Sequence, residues 1–228
     1  TYSLPNNLSG VFSIFIIPET NISTSLTTKL LNYVVNGGRL VILVGNETIT
    51  NQLLGELSIG SRFMGGVIED SVFNVANEKF PLAFILNNSV IPTNATVIAL
   101  DNAVAIRIND PGAVVIAETS RFSVVNNVTG PFPVIVAIPV GRGYVVLVSS
   151  PGAFMNSMIG EADNAAFLRS LCGNGTALFI EGALAGNPQF IIRTWLLTAY
   201  GYVSTYPINY LVIIMPIIIT IIVLLIRR

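Results

Sequence analysis

Val11 to Ile17 (VFSIFII) is a continuous apolar run that stops at Pro18, the pattern of a strand buried on both faces. Thr24 to Val35 then sets Leu26, Leu30, Leu31, Val34 and Val35 at helical spacing, and Gly37-Gly38 closes that helix as a C-cap pair. Arg39 to Val44 (RLVILV) reads as a second buried strand. Strand, helix and strand with short connections predict a βαβ unit, hence a parallel sheet with a right-handed crossover. A short helix is expected near Thr50 to Leu57.

From about 61 to 125 the texture changes. Short apolar runs (Pro81 to Leu86, Thr96 to Leu100, Ala103 to Ile108, Ala113 to Glu118) alternate with Asn, Asp, Pro and Gly clusters, and Asn109-Asp110-Pro111-Gly112 reads as a hairpin turn between two of them. This stretch is expected to be a β-rich antiparallel extension of the sheet. The α/β pattern then returns. Val134 to Val140 and Tyr144 to Ser149 read as strands joined by Gly141-Arg142-Gly143, followed by a helix from about Asn164 to Leu171 and a strand from Ala177 to Ile180.

The last pattern is different in kind. Tyr210 to Ile226 (YLVIIMPIIITIIVLLI) has no charged residue and is followed at once by Arg227 and Arg228. At about 1.5 Å per residue a helix over this run spans about 25 Å, and starting at Pro207 brings it near the roughly 30 Å of a bilayer core. The sequence therefore predicts a transmembrane helix over 204–228, kinked at Pro216, behind an exterior domain over 1–203. Arg227 and Arg228 place the C-terminus in the cytoplasm, and Tyr200, Tyr202, Tyr206 and Tyr210 approach from the outer side. The competing reading is a buried core helix. Thr1 in place of Met is what a cleaved secretory signal would leave.

Composition changes the picture in two ways. Charged residues are only 10% of the chain and the formal charge is −1, so no basic face is available for nucleic acid. Asn-x-Ser/Thr sequons occur at Asn7, Asn21, Asn46, Asn87, Asn94, Asn127 and Asn174. On an exterior domain they are expected to carry N-linked glycans, which would supply the solubility that charge does not. The composition suits an archaeal cell surface. Cys172 is the single cysteine, so no internal disulfide forms.

Two segments carry a resemblance: Leu31 to Val44 (LNYVVNGGRLVILV), and Gly141 to Asn156 (GRGYVVLVSSPGAFMN) with Glu161 to Leu168 (EADNAAFL). Together they resemble an uncharacterised archaeal and bacterial domain family of the class I glutamine-amidotransferase-like superfamily. That resemblance implies an α/β, flavodoxin-like sandwich. It also implies a degenerate site, because such amidotransferases use a cysteine at a strand-to-helix turn with a histidine. Here Cys172 ends a helix, and the chain has no histidine. The absence of His also removes the commonest general base and, with one Cys, any ordinary zinc site.

Carboxylates are the remaining acid–base candidates: Glu69, Asp70, Glu118, Glu161, Asp163 and Glu181. The alternative is that they are solvated or structural, with Asp163 as a helix N-cap. Asn156 and Asn164 could bind a ligand or fix the connection from Pro151 to Asn164; Arg142 and Arg193 could pair with carboxylates. No catalytic residue, cofactor or metal site is expected. The sequence favours a non-catalytic, membrane-anchored accessory subunit contacting lipid and a membrane or cell-envelope protein, with contact faces over 128–173 and 181–206. The alternative is a surface receptor for a small solute or a carboxylate-based hydrolase.

Overall fold

In the computed structural model, residues 4–5, 8–86 and 89–180 are described. The βαβ unit is present: β1 (Val11–Ile16), α1 (Thr24–Val35) and β2 (Arg39–Leu43), with β1 and β2 paired in parallel. Ser23 starts α1 by accepting the Leu26 N–H on its hydroxyl, and Leu26, Leu30 and Val34 form its buried stripe. Helix α2 (Glu47–Glu56) starts earlier than the spacing suggests, because Asn46 caps it by accepting the Ile49 N–H at 3.2 Å.

The remaining strands are β3 (Arg62–Val67), β4 (Leu82–Ile85), β5 (Val97–Ala99), β6 (Val104–Arg107), β7 (Val114–Thr119), β8 (Val124–Val125), β9 (Val128–Thr129), β10 (Pro133–Val140), β11 (Gly143–Val148) and β12 (Thr176–Ile180). A 3-10 turn (Pro151–Phe154) and α3 (Asn164–Cys172) lie between the last two. Eight strands form one sheet in the order β12-β1-β2-β11-β10-β7-β4-β5, while β3 pairs with β6 and β8 with β9 in two-stranded ribbons.

This sheet is mixed, which corrects the flavodoxin-like expectation. Strands β12, β1, β2 and β11 are parallel, but every pairing from β11 through β10, β7 and β4 to β5 is antiparallel. The reason is visible at Gly141-Arg142. A two-residue turn can join only antiparallel strands, and it reverses the sheet at β10. The 61–125 extension then adds β4, β5 and β7 to that edge instead of helices to the faces. Asn109 to Gly112 is a turn, but not a hairpin between paired strands, since β6 pairs with β3 and β7 with β10 and β4.

The period-2 alternation of the strands supplies both faces of the core. Ile14, Ile16, Leu40, Ile42, Val145 and Leu147 pack with Leu30, Val34, Leu53 and Leu54 of α1 and α2. Phe15, Val41, Val146 and Val148 pack on the opposite face with Phe167 and Leu171 of α3 and with Ile98 of β5.

The expected transmembrane helix over 204–228, with Tyr210, Pro216, Arg227 and Arg228, lies outside the described residues, as do Glu181, Arg193 and the contact region 181–206. Among the described residues no helix is long and apolar enough to cross a membrane; the longest, α1, has 12 residues. The expectation of a single-pass cell-membrane protein with its N-terminal domain outside therefore finds no support in the described residues, none of whose helices reaches the length a bilayer requires.

Asn164 ties the start of α3 to edge strand β5 and to the connection that follows β11. Its side chain is fully buried, its Oδ1 accepts the Ala99 N–H of β5, and its Nδ2 donates to the carbonyls of Ala99, Ala153 and Met158, each at 2.9 Å. It thus satisfies backbone groups of an edge strand, the 3-10 turn and the following loop. Replacing Asn164 with Ala orphans these groups, and urea unfolding of that variant should show a loss of about 3 kcal/mol or more.

Candidate functional site

The site is an aromatic surface built around one buried carboxylate. Asp70 follows β3 and is fully buried. One of its oxygens accepts the N–H groups of Val72 at 2.9 Å and Phe73 at 2.7 Å; the other accepts the hydroxyls of Ser120 and of Ser123 (2.8 Å). A carboxylate is the side chain suited to this place, because all four partners are donors and it can accept from each. Glu69 reinforces the junction by exchanging backbone hydrogen bonds with Val124 of β8. The β8–β9 ribbon turns at Asn126 and Asn127, both at positive φ, the geometry of a two-residue hairpin that asparagine tolerates.

Asp70 thereby fixes two loops side by side, and their aromatic side chains meet above it. The rings of Phe73 and Phe122 stack at 6.1 Å, and Phe73 meets Phe84 of β4 edge-on at 5.6 Å. Phe73 and Phe122 remain 37% and 44% exposed, with Val72, Val75 and Val124 exposed beside them. The Arg121 guanidinium sits 5.0 Å from the Phe122 ring.

Among the described residues, no hydrogen bond links two of the carboxylate candidates. Burial alone would raise the Asp70 carboxyl, but the hydrogen bonds from Phe73, Ser120, Val72 and Ser123 outweigh it and hold the group below the ordinary carboxylate value. Asp163 precedes α3 in the N-cap position, yet its side chain makes no cap bond there. It instead accepts the N–H groups of Thr96 and Val97 and the Thr96 hydroxyl, which lower it likewise. Asp110 holds Gly60 and Ser61 in the same manner. Glu69 and Glu161 are exposed, and Glu118 is half-buried on β7. Among the described residues no group of three His, Cys, Asp or Glu side chains is placed to hold a metal ion.

Of the other candidates, Asn164 serves the backbone as described and Asn156 is exposed. Among the described residues Arg142 pairs with no carboxylate; it donates to the carbonyl and side-chain oxygens of Asn36 at the end of α1. Cys172 ends α3, and its thiol is pushed up by burial, which leaves it less reactive. Ser149 buries a hydroxyl that has no hydrogen-bond partner among the described residues. The sequon asparagines Asn21, Asn46, Asn94, Asn127 and Asn174 are all exposed, and Asn7 and Asn87 lie outside the described residues. Within the expected contact face 128–173 only Val128 and Met155 are exposed large apolar residues, whereas the aromatic group lies at 72–84 and 122. Sequence reasoning passed over Phe73 and Phe122. The available signal was apolar side chains inside turn-rich polar segments.

A family model described as a domain of unknown function, DUF4350, matches residues 3–172. The chain belongs to the DUF4350 family. This replaces the glutamine-amidotransferase-like family as the relationship of the Gly37-Gly38-Arg39 and Gly141 to Asn156 segments, since no comparison indicates that superfamily. The comparisons likewise carry no archaeal, glycoprotein or cell-surface assignment. No curated protein sequence matches the chain. Among solved structures, the DUF4350 chain is similar to the mmIFT52 N-terminal domain at a TM-score of 0.57 and 16% identity, over 71% of this chain and 75% of that one. It also aligns with cytoplasmic protein STM1381 from Salmonella typhimurium LT2 (TM-score 0.48, 15% identity, 71% of this chain and 70% of that one). A β-galactosidase from Bacillus circulans sp. alkalophilus aligns at a TM-score of 0.44 and 13% identity, over 70% of this chain and 22% of the enzyme. At these identities the likeness to the IFT52 domain is one of fold.

A depressed carboxyl contributes stability that is present above its unfolded value and is lost as pH falls through the lower folded value. Asp70→Asn should lower stability by about 2 kcal/mol at pH 7. Its deficit relative to the parent should shrink as both are acidified below about pH 4, near the ordinary carboxylate value. Denaturant titrations at a series of pH values measure both effects.

Proposed function

We propose that this DUF4350 domain is a non-catalytic docking subunit of a larger protein assembly, and that the Phe73–Phe122 surface receives its partner. The observation that carries the reading is that a fully buried carboxylate holds two exposed, mutually stacked phenylalanines in place. Pre-organised aromatic side chains lose little freedom on binding and commonly dominate interface energetics. Arg121 at the edge of the patch favours a partner with a carboxylate beside an apolar or aromatic group.

The competing hydrolase reading requires two carboxyl groups facing a shared cleft. Asp70 and Asp163 instead hold separate stretches of main chain, which favours the docking reading. Native mass spectrometry of the full chain from its source should find a protein partner at fixed stoichiometry. The double variant Phe73→Ser, Phe122→Ser should weaken that association by about a hundredfold or more while leaving the melting temperature close to the parent's. A chain recovered alone, or a complex indifferent to the double substitution, would overturn the proposal.

A further inference from the structure

Two recesses share the ring of Phe12, at the end of the sheet where β1 and β2 begin. The larger, of about 560 Å³, lies between the segment leading into β1 and the C-terminal half of α1. The smaller, of about 350 Å³, lies between Phe12 and the end of α3. Both fall in the size range of small-molecule sites. Neither belongs to the Asp70 surface.

The Gly37-Gly38-Arg39 sequence shapes this end of the molecule. Gly37 has φ +107, which continues the chain out of α1 into β2. A Cβ on Gly38 would stand 2.3 Å from the Tyr33 ring, so only glycine lets that ring lie along the wall of the larger recess. The Tyr33 hydroxyl donates to the Val11 carbonyl at 3.3 Å and fixes the ring there. Arg39 donates to the carbonyls of Ser170 (2.9 Å) and Leu171 (3.2 Å) at the end of α3 and to that of Val90 (3.3 Å). So anchored, its guanidinium stands 4.9 Å from the Phe12 ring. Phe12 is held in this way yet remains 41% exposed.

The polar lining is of one kind. Lys29 and Asn32 project from the exposed face of α1 three residues apart, which puts them beside each other over one turn. Arg169 lines the smaller recess, and among the described residues no acidic side chain lines either one. Two fixed aromatic rings, an ammonium group and a primary amide, with no carboxylate among the described lining residues, are complementary to an anion attached to a ring that offers an apolar face.

We propose that the larger recess binds a small organic acid, its carboxylate received by Lys29 and Asn32 and its ring laid against Phe12 and Tyr33. This goes beyond the docking reading and stands independently of it. The ring could be that of an acidic sugar or of an aromatic acid, and the test separates them. The full chain is titrated calorimetrically with glucuronate and with benzoate, using glucose and sulfate as comparison ligands. Saturable binding of either acid, weaker by about tenfold or more in Lys29→Ala and retained in Lys29→Arg, supports the proposal. Glucuronate alone assigns a sugar acid, and benzoate alone an aromatic one. Lys29 is exposed, so its variants should keep the parent's melting temperature. Binding of neither acid, equal binding of glucose or sulfate, or an affinity unchanged in Lys29→Ala would overturn it.

Discussion

The middle of this protein is held by side-chain carboxyl and amide oxygens that accept hydrogen bonds from the main chain. Strands β4, β5, β6 and β8 are four residues long or shorter, and the loops between them expose backbone groups that no ladder satisfies. Asp70, Asp110 and Asp163 each accept two main-chain N–H groups and at least one Ser or Thr hydroxyl. Asn164 does the corresponding work for the Ala99 N–H and for three carbonyls. A charged oxygen bound to an amide N–H is roughly twice as strong a partner as a neutral one, so few residues suffice.

That arrangement bears on the proposed function. Two of the acid–base candidates, Asp70 and Asp163, are side chains the loops depend on, and a carboxylate saturated with donors is a poor proton acceptor. What the loops gain is a fixed presentation of Phe73 and Phe122. Rigidity of this kind suits recognition, because the ordering of the contact residues precedes binding.

How much of this was legible in the chain differs by region. The run VFSIFII, the stripe Leu26-Leu30-Val34 and the Gly37-Gly38 stop produced the βαβ unit because strong periodicity and strong caps agree there. Gly141-Arg142 already implied an antiparallel pair, which a flavodoxin-like sheet does not contain at that point. Strand β3 (RFMGGV) was not legible, since two glycines break the alternation and its pairing with β6 is carried by partners about forty residues away. Asp70 read as one acid among several. Its role depends on Ser120 and Ser123, fifty residues on, and nothing local in the sequence announces so distant a partner.

Asp70 is a structural anion beneath the proposed docking surface, and a site-resolved carboxyl titration by NMR tests that most directly. The predicted result is a single titration below the ordinary carboxylate value, with the Val72 and Phe73 amide resonances moving at the same pH. A titration shifted upward, or one split into two steps shared with another carboxyl group, would contradict it and point to acid–base chemistry instead.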